Sequence, residues 1–134
     1  MGKVLLIEPD FILARTYKVA LETVGHTVIM VSGAQSGISA ADDCMPDAVV
    51  MEIQLIEHSG IEFLYEFRSY PEWQAIPVII HSQIPPSEFA GSWEILKRDL
   101  GVNAYLYKTG TTLGSLIKTV EGALTPVNNE PVQL

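Results

Sequence analysis

Five short apolar stretches punctuate the chain: Lys3–Ile7, Thr27–Val31, Ala48–Ile53, Ile76–His81 and Ala104–Tyr107. They are rich in Val, Ile and Leu and lack polar alternation, the pattern of parallel strands covered on both faces. Between them the apolar positions take helical spacing. Leu13, Tyr17, Leu21 and Val24 share one face, with Asp10 as N-cap and Gly25 as the stop. Ser32 and Gln35 have capping-box spacing ahead of a poor second helix, interrupted by Gly37, where Ile38, Ala41 and Met45 make a thin stripe. Gly60–Ser69 reads as a third helix, closed before Pro71. Pro85-Pro86-Ser87 opens a fourth, with Phe89, Trp93, Leu96 and Leu100 on one face and Gly101 at its end. Thr111–Leu124 forms the fifth, with Leu113, Leu116, Ile117, Val120 and Leu124 inward.

Strands alternating with helices predict an α/β (βα)5 domain, a parallel sheet sandwiched between two helical layers. In such sheets ligands bind beyond the carboxyl ends of the strands, where strand order reverses. The residues at those ends are Glu8-Pro9-Asp10, Glu52, Ser82 and Lys108. Acids after strands one and three, a hydroxyl after four and a lysine after five would converge on one pocket.

This ordered set resembles the receiver domain of two-component response regulators. The matching motifs are Val-Leu-Leu-Ile-Glu8-Pro9-Asp10, Val-Val-Met-Glu52-Ile-Gln-Leu-Ile-Glu-His-Ser-Gly60, Pro77-Val-Ile-Ile-His-Ser82 and Ala104-Tyr-Leu-Tyr-Lys108. The resemblance runs from about Lys3 to Leu124. It implies a flavodoxin-like doubly wound sheet in the order 2-1-3-4-5. It also implies roles: Glu52 at the phosphoacceptor position, Glu8 and Asp10 in the acidic pocket, Ser82 and Lys108 as phosphate contacts, and Tyr105 as switch aromatic.

The departures carry as much meaning. Glu52 stands where the family has Asp, Pro9 where it has a second acid, Ile56 where it has Pro after strand three, and Thr109 where it has Pro after the lysine. The extra methylene of Glu52 moves its oxygens by over an ångström, and positional catalysis tolerates little such error. The expectation is a degenerate receiver, a pseudo-receiver whose Glu52 reaches towards Lys108 and Ser82 without phosphate. No enzymatic activity and no cofactor are expected. If Mg²⁺ binds at all, the ligands implied are Glu8, Asp10, Glu52 and Gln54. Two other readings stand beside this one. One is a receiver still phosphorylated in its residual acidic pocket with Mg²⁺; the other is a small flavodoxin-like ligand-binding protein.

The 134 residues suit one core, with a receiver-like domain over 1–124 and a flexible tail over 125–134. Eight basic against sixteen acidic residues give a net charge of −8, without a basic cluster, so nucleic-acid binding is not expected. Partners are expected to be proteins, a histidine kinase or a downstream signalling protein. The family's dimer surface implies a homodimer through helix four, strand five and helix five. Trp93, Lys97, Arg98, Tyr105, Tyr107, Lys118 and Glu121 lie on that face. The stretch from Ser82 to Lys108 is a few residues longer than in ordinary receivers, with the excess placed in Gln83–Ser92.

Cys44 is the single cysteine and reads as a reduced residue near the end of helix two. No basic-then-apolar leader precedes the first strand, and no apolar run approaches the ~18 residues of a membrane span. A cytoplasmic protein without a membrane segment is expected. His81 and Ser82, adjacent on a strand, point to opposite faces and cannot act together. His26 and His58 read as surface residues.

Overall fold

The computed structural model describes residues 1–125. The tail expected over 125–134 therefore lies, apart from Thr125, outside the described residues. The chain runs β1 (Lys3–Ile7), α1 (Phe11–Thr23), β2 (Thr27–Val31), α2 (Ala34–Cys44), β3 (Ala48–Met51), α3 (Gly60–Arg68), β4 (Val78–Ser82), β5 (Val102–Tyr107) and α4 (Leu113–Ala123). All strand pairs are parallel, in the order β2-β1-β3-β4-β5. This is the expected topology, and its switch point lies between β1 and β3.

Successive strand residues serve opposite faces, which explains the unbroken apolar runs. Leu5, Ile7, Val49, Met51, Val78 and Ile80 enter one core with Ile38 and Ala41 of α2 and Phe63, Leu64 and Phe67 of α3. Val4, Leu6, Val50 and Ile79 enter the other, with Ala14, Tyr17 and Leu21 of α1 and Leu116 and Val120 of α4. The β4–β5 register slips by one residue after Val78, and the Asn103 side-chain carbonyl accepts the Val78 N–H at 3.0 Å.

The caps follow local chemistry. Asp10 Oδ1 accepts the Leu13 N–H at 3.0 Å, and Gly25 leaves α1 at φ +102°. Ser59 accepts the N–H groups of Ile61 and Glu62, and Glu62 answers from the Ser59 N–H, a reciprocal box. Gly60 must be a glycine, because a Cβ there would meet the Ile53 Cα and carbonyl oxygen at 2.7 Å. The box expected from Ser32 and Gln35 falls one residue later. Gly33 is the N-cap, and its N–H donates to the Ser36 hydroxyl at 3.2 Å.

The fourth helix is the main correction. Instead of one α-helix from Pro86, the chain makes a 3₁₀ turn over Pro86–Ser92, broken at Phe89, then a π turn over Ile95–Asp99. Gly91 and Ser92 are weak helix formers in its middle. The widened π turn still seats Leu96 and Leu100 in the core, while Phe89 and Trp93 are only half-buried against it. Arg68 fixes the far end by donating to the carbonyls of Leu100 (2.9 Å), Trp73 (2.6 Å) and Gly101 (3.1 Å).

Smaller corrections fall at element ends. β3 stops at Met51, β4 starts at Val78 and β5 starts at Val102. Val24, Met45 and Leu113, expected on inner faces, are exposed because each lies at a helix terminus, beyond the sheet that would cover it. His26, expected at the surface, is buried. Its Nδ1 accepts the Gly2 N–H at 3.1 Å, and its Nε2 lies 3.2 Å from Glu121.

Candidate functional site

The carboxyl ends of β1, β3, β4 and the residue after β5 meet as their positions implied. Glu8 follows β1 and is 4% exposed; Glu52 follows β3 and is 3% exposed. The Lys108 ammonium lies between them, 2.7 Å from Glu8 Oε1 and 2.9 Å from Glu52 Oε1. A long-stemmed cation from the next strand end thus reaches both acids and makes their burial tolerable.

Every oxygen of the two glutamates has a donor. Glu8 Oε2 accepts the Asp10 N–H at 3.1 Å. Glu52 Oε1 also accepts the Gln83 N–H at 3.2 Å. Glu52 Oε2 accepts the Gln54 N–H at 3.0 Å and the Ser82 hydroxyl. Burial alone would raise the Glu52 carboxyl, but hydrogen bonds from Lys108, Ser82 and Gln54 outweigh it and hold the pKa below its usual value. Burial would lower Lys108, but its bonds to Glu52 and Glu8 outweigh it and raise the amine.

A chain of contacts leaves this centre for the surface. The Ile84 N–H donates to the Ser82 hydroxyl oxygen at 3.0 Å, and the Tyr105 hydroxyl donates to the Ile84 carbonyl at 2.6 Å. The half-buried Tyr105 ring lies 5.8 Å from Phe89, and burial pushes its hydroxyl pKa up. Both border a groove with Pro86, Ala90 and Trp93.

The site opens into a cleft of about 410 Å³ lined by Glu8, Pro9, Asp10, Glu52, Gln54, Gln83 and Lys108, among others. The topology matches solved structures. The Vibrio cholerae chemotaxis response regulator CheY4 superposes with a TM-score of 0.80 at 18% identity, over 92% of this chain and 98% of that one. A response regulator receiver domain protein from Methanospirillum hungatei gives 0.82 at 18%, over 97% and 98%. The chain folds as a response-regulator receiver domain.

Sequence relatives agree. The KDP operon transcriptional regulatory protein KdpE of Escherichia coli is 32% identical over 108 residues, covering 81% of this chain and 45% of that protein. KdpE of Mycobacterium tuberculosis is 30% identical over the same coverage. The chain thus spans about half the length of these relatives. No protein-family model matches it. These relatives are named transcriptional regulators, so the comparisons do not support the expected exclusion of nucleic acid.

The remaining candidates divide. Asp10 stands at the cleft mouth, exposed, with Oδ1 engaged in capping α1. Mg²⁺ does not fit the donor set. Pro9 offers no side-chain oxygen, the glutamate oxygens already hold Lys108 and amide donors, and among the described residues no three acidic, His or Cys side chains gather as a metal site. His81 faces away from Ser82, as expected, and stands edge-on to Tyr17 at 4.7 Å. Its Nδ1 is buried without a partner, and burial lowers its pKa to about 4. His58 is exposed. Among the described residues no helix is long and apolar enough to cross a membrane.

The sequence reading missed Gln83. Its position immediately after Ser82, at a strand end, was the available signal that its backbone N–H faces the pocket.

Proposed function

We propose that this receiver domain signals without phosphorylation, as a pseudo-receiver, with Glu52 serving as its own permanent anion. The observation that supports this is the full occupancy of the Glu52 oxygens by Lys108, Ser82, Gln83 and Gln54. By family resemblance, Lys108 and Ser82 are the groups that would bind phosphoryl oxygens. Here they are engaged, and Glu52 is neither free nor aligned to attack a phosphodonor. The ammonium of Lys108 neutralises the acids in place of a divalent cation.

The output is protein contact. The Glu52–Ser82–Ile84–Tyr105 chain connects the charged centre to the segment before β5, so the partner face is that segment with β5 and α4. Its partners are a histidine kinase, a downstream signalling protein or a second copy. The protein acts in the cytoplasm, needs no cofactor and catalyses no reaction.

Incubation with acetyl phosphate and Mg²⁺, followed by intact-mass measurement, tests the chemistry. No phosphate mass is expected under conditions that label an ordinary receiver. A labile adduct mapped to Glu52 would overturn the proposal.

A further inference from the structure

Glu52 is almost fully buried, yet it lies beneath an open cleft. Two exposed side chains flank it in that cleft. Gln54 and Gln83 come from different loops, and each gives its backbone N–H to a different Glu52 oxygen, at 3.0 and 3.2 Å. Beyond those bonds the side chains meet one another: Gln83 Nε2 donates to Gln54 Oε1 at 3.2 Å. The β3–α3 loop and the end of β4 are therefore tied twice, once through the carboxylate and once above it.

We propose that Gln54 and Gln83 form a clasp beside Glu52 that limits access of solutes from the cleft to its carboxylate until its Gln83 half swings away. The two halves are tethered differently. Gln54 is held by a backbone bridge to Ser59, and the Gly60 N–H bonds the neighbouring Ile53 carbonyl at 2.7 Å. Gln83 stands between the end of β4 and the Pro85-Pro86 turn, tied inward through Glu52. Ile84, the next residue, carries the Tyr105 hydroxyl on its carbonyl. A partner that displaces Tyr105 therefore pulls on the Gln83 half. The closure holds whether or not Glu52 accepts phosphate, and its test uses no phosphate.

Water-soluble carbodiimide with glycine ethyl ester labels accessible carboxylates, and peptide mass analysis reads each site. In the native chain Asp10 labels readily and Glu52 slowly. In Gln54→Ala/Gln83→Ala, Glu52 labelling should rise roughly two- to tenfold, as expected when the one side-chain hydrogen bond that closes the pair is lost from a local opening equilibrium. Asp10 labelling and the urea midpoint should stay unchanged. Gln83→Asn, which keeps the amide but falls short of Gln54, should give most of the same increase and guards against loss of fold in the double variant. Unchanged Glu52 labelling in the folded variants would overturn the clasp. So would a rise shared equally by all carboxylates, since that reports general loosening.

Discussion

Lys108→Met removes the one cation between two buried carboxylates while keeping an apolar stem of similar length. The Lys108 side chain is 13% exposed, against 4% for Glu8 and 3% for Glu52, so solvent screens the trio little. Breaking a buried pair by removing one partner typically costs about 3–5 kcal/mol. The amide and hydroxyl donors on Glu8 and Glu52 remain, which places the expected loss near the lower end, about 3 kcal/mol. That is a large share of the roughly 5–15 kcal/mol stability of a small domain.

The pH dependence gives the sharper check. In the native chain the folded-state pKa of Glu52 is depressed from its ordinary 4.5, so its contribution is complete above that value and disappears as pH falls through the lowered pKa. Lys108 is raised from 10.5, so its contribution is complete below that value and disappears as pH climbs past the raised pKa. Between these limits Glu52 and Lys108 add no slope. In Lys108→Met the two acids face each other uncompensated, and the pair takes up a proton more readily than in the unfolded chain. Its stability should therefore rise as pH falls from about 8 towards 5, opposite to the usual acid trend. Urea denaturation at several pH values measures both effects. Adding Glu52→Gln to Lys108→Met should recover most of the loss. A midpoint unchanged by Lys108→Met, with no new slope, would refute the pairing.

Three further outcomes follow from the same geometry. His81 is buried and neutral with its pKa lowered from 6.5 to about 4, so the native chain should lose about 3 kcal/mol as pH falls across that interval; His81→Leu should flatten the acid limb in urea titrations. Ser82→Ala removes a donor to Glu52 and the acceptor of the Ile84 N–H, and should cost about 1–3 kcal/mol in chemical denaturation. Arg68→Ala frees three carbonyls that end the irregular segment, and should cost about 2–3 kcal/mol while speeding amide exchange at Leu100.

Burial on both faces is what made the sheet legible. Val4 and Leu5, or Val49 and Val50, are all fully buried although they point to opposite layers, and only a covered parallel sheet asks for such runs. The site was legible for a related reason: strand ends are fixed by the sheet, so Glu8, Glu52, Ser82 and Lys108 had to approach one another. The segment before β5 was not legible. Phe89, Trp93, Leu96 and Leu100 have α-helical spacing, but the core accepts only the last two fully, and Gly91 and Ser92 give little local drive to make the earlier turns regular. His26 was misread because its burial depends on a remote contact, the Gly2 N–H and Glu121, which no local pattern announces.

Pro9 and Glu52 are best understood as one change. A carboxylate in place of Pro9 would put a third acid in the cleft with Glu8 and Glu52, and a single ammonium would not balance three negative charges. With proline there, Lys108 faces two acids, one of which is long enough to reach it directly at 2.9 Å while also taking Ser82 and two backbone amides. A shorter acid would fall short of some of those donors. The longer acid therefore suits the proline-containing pocket. The pair leaves a centre whose charges are balanced chiefly by Lys108 and by hydrogen bonds from its own residues.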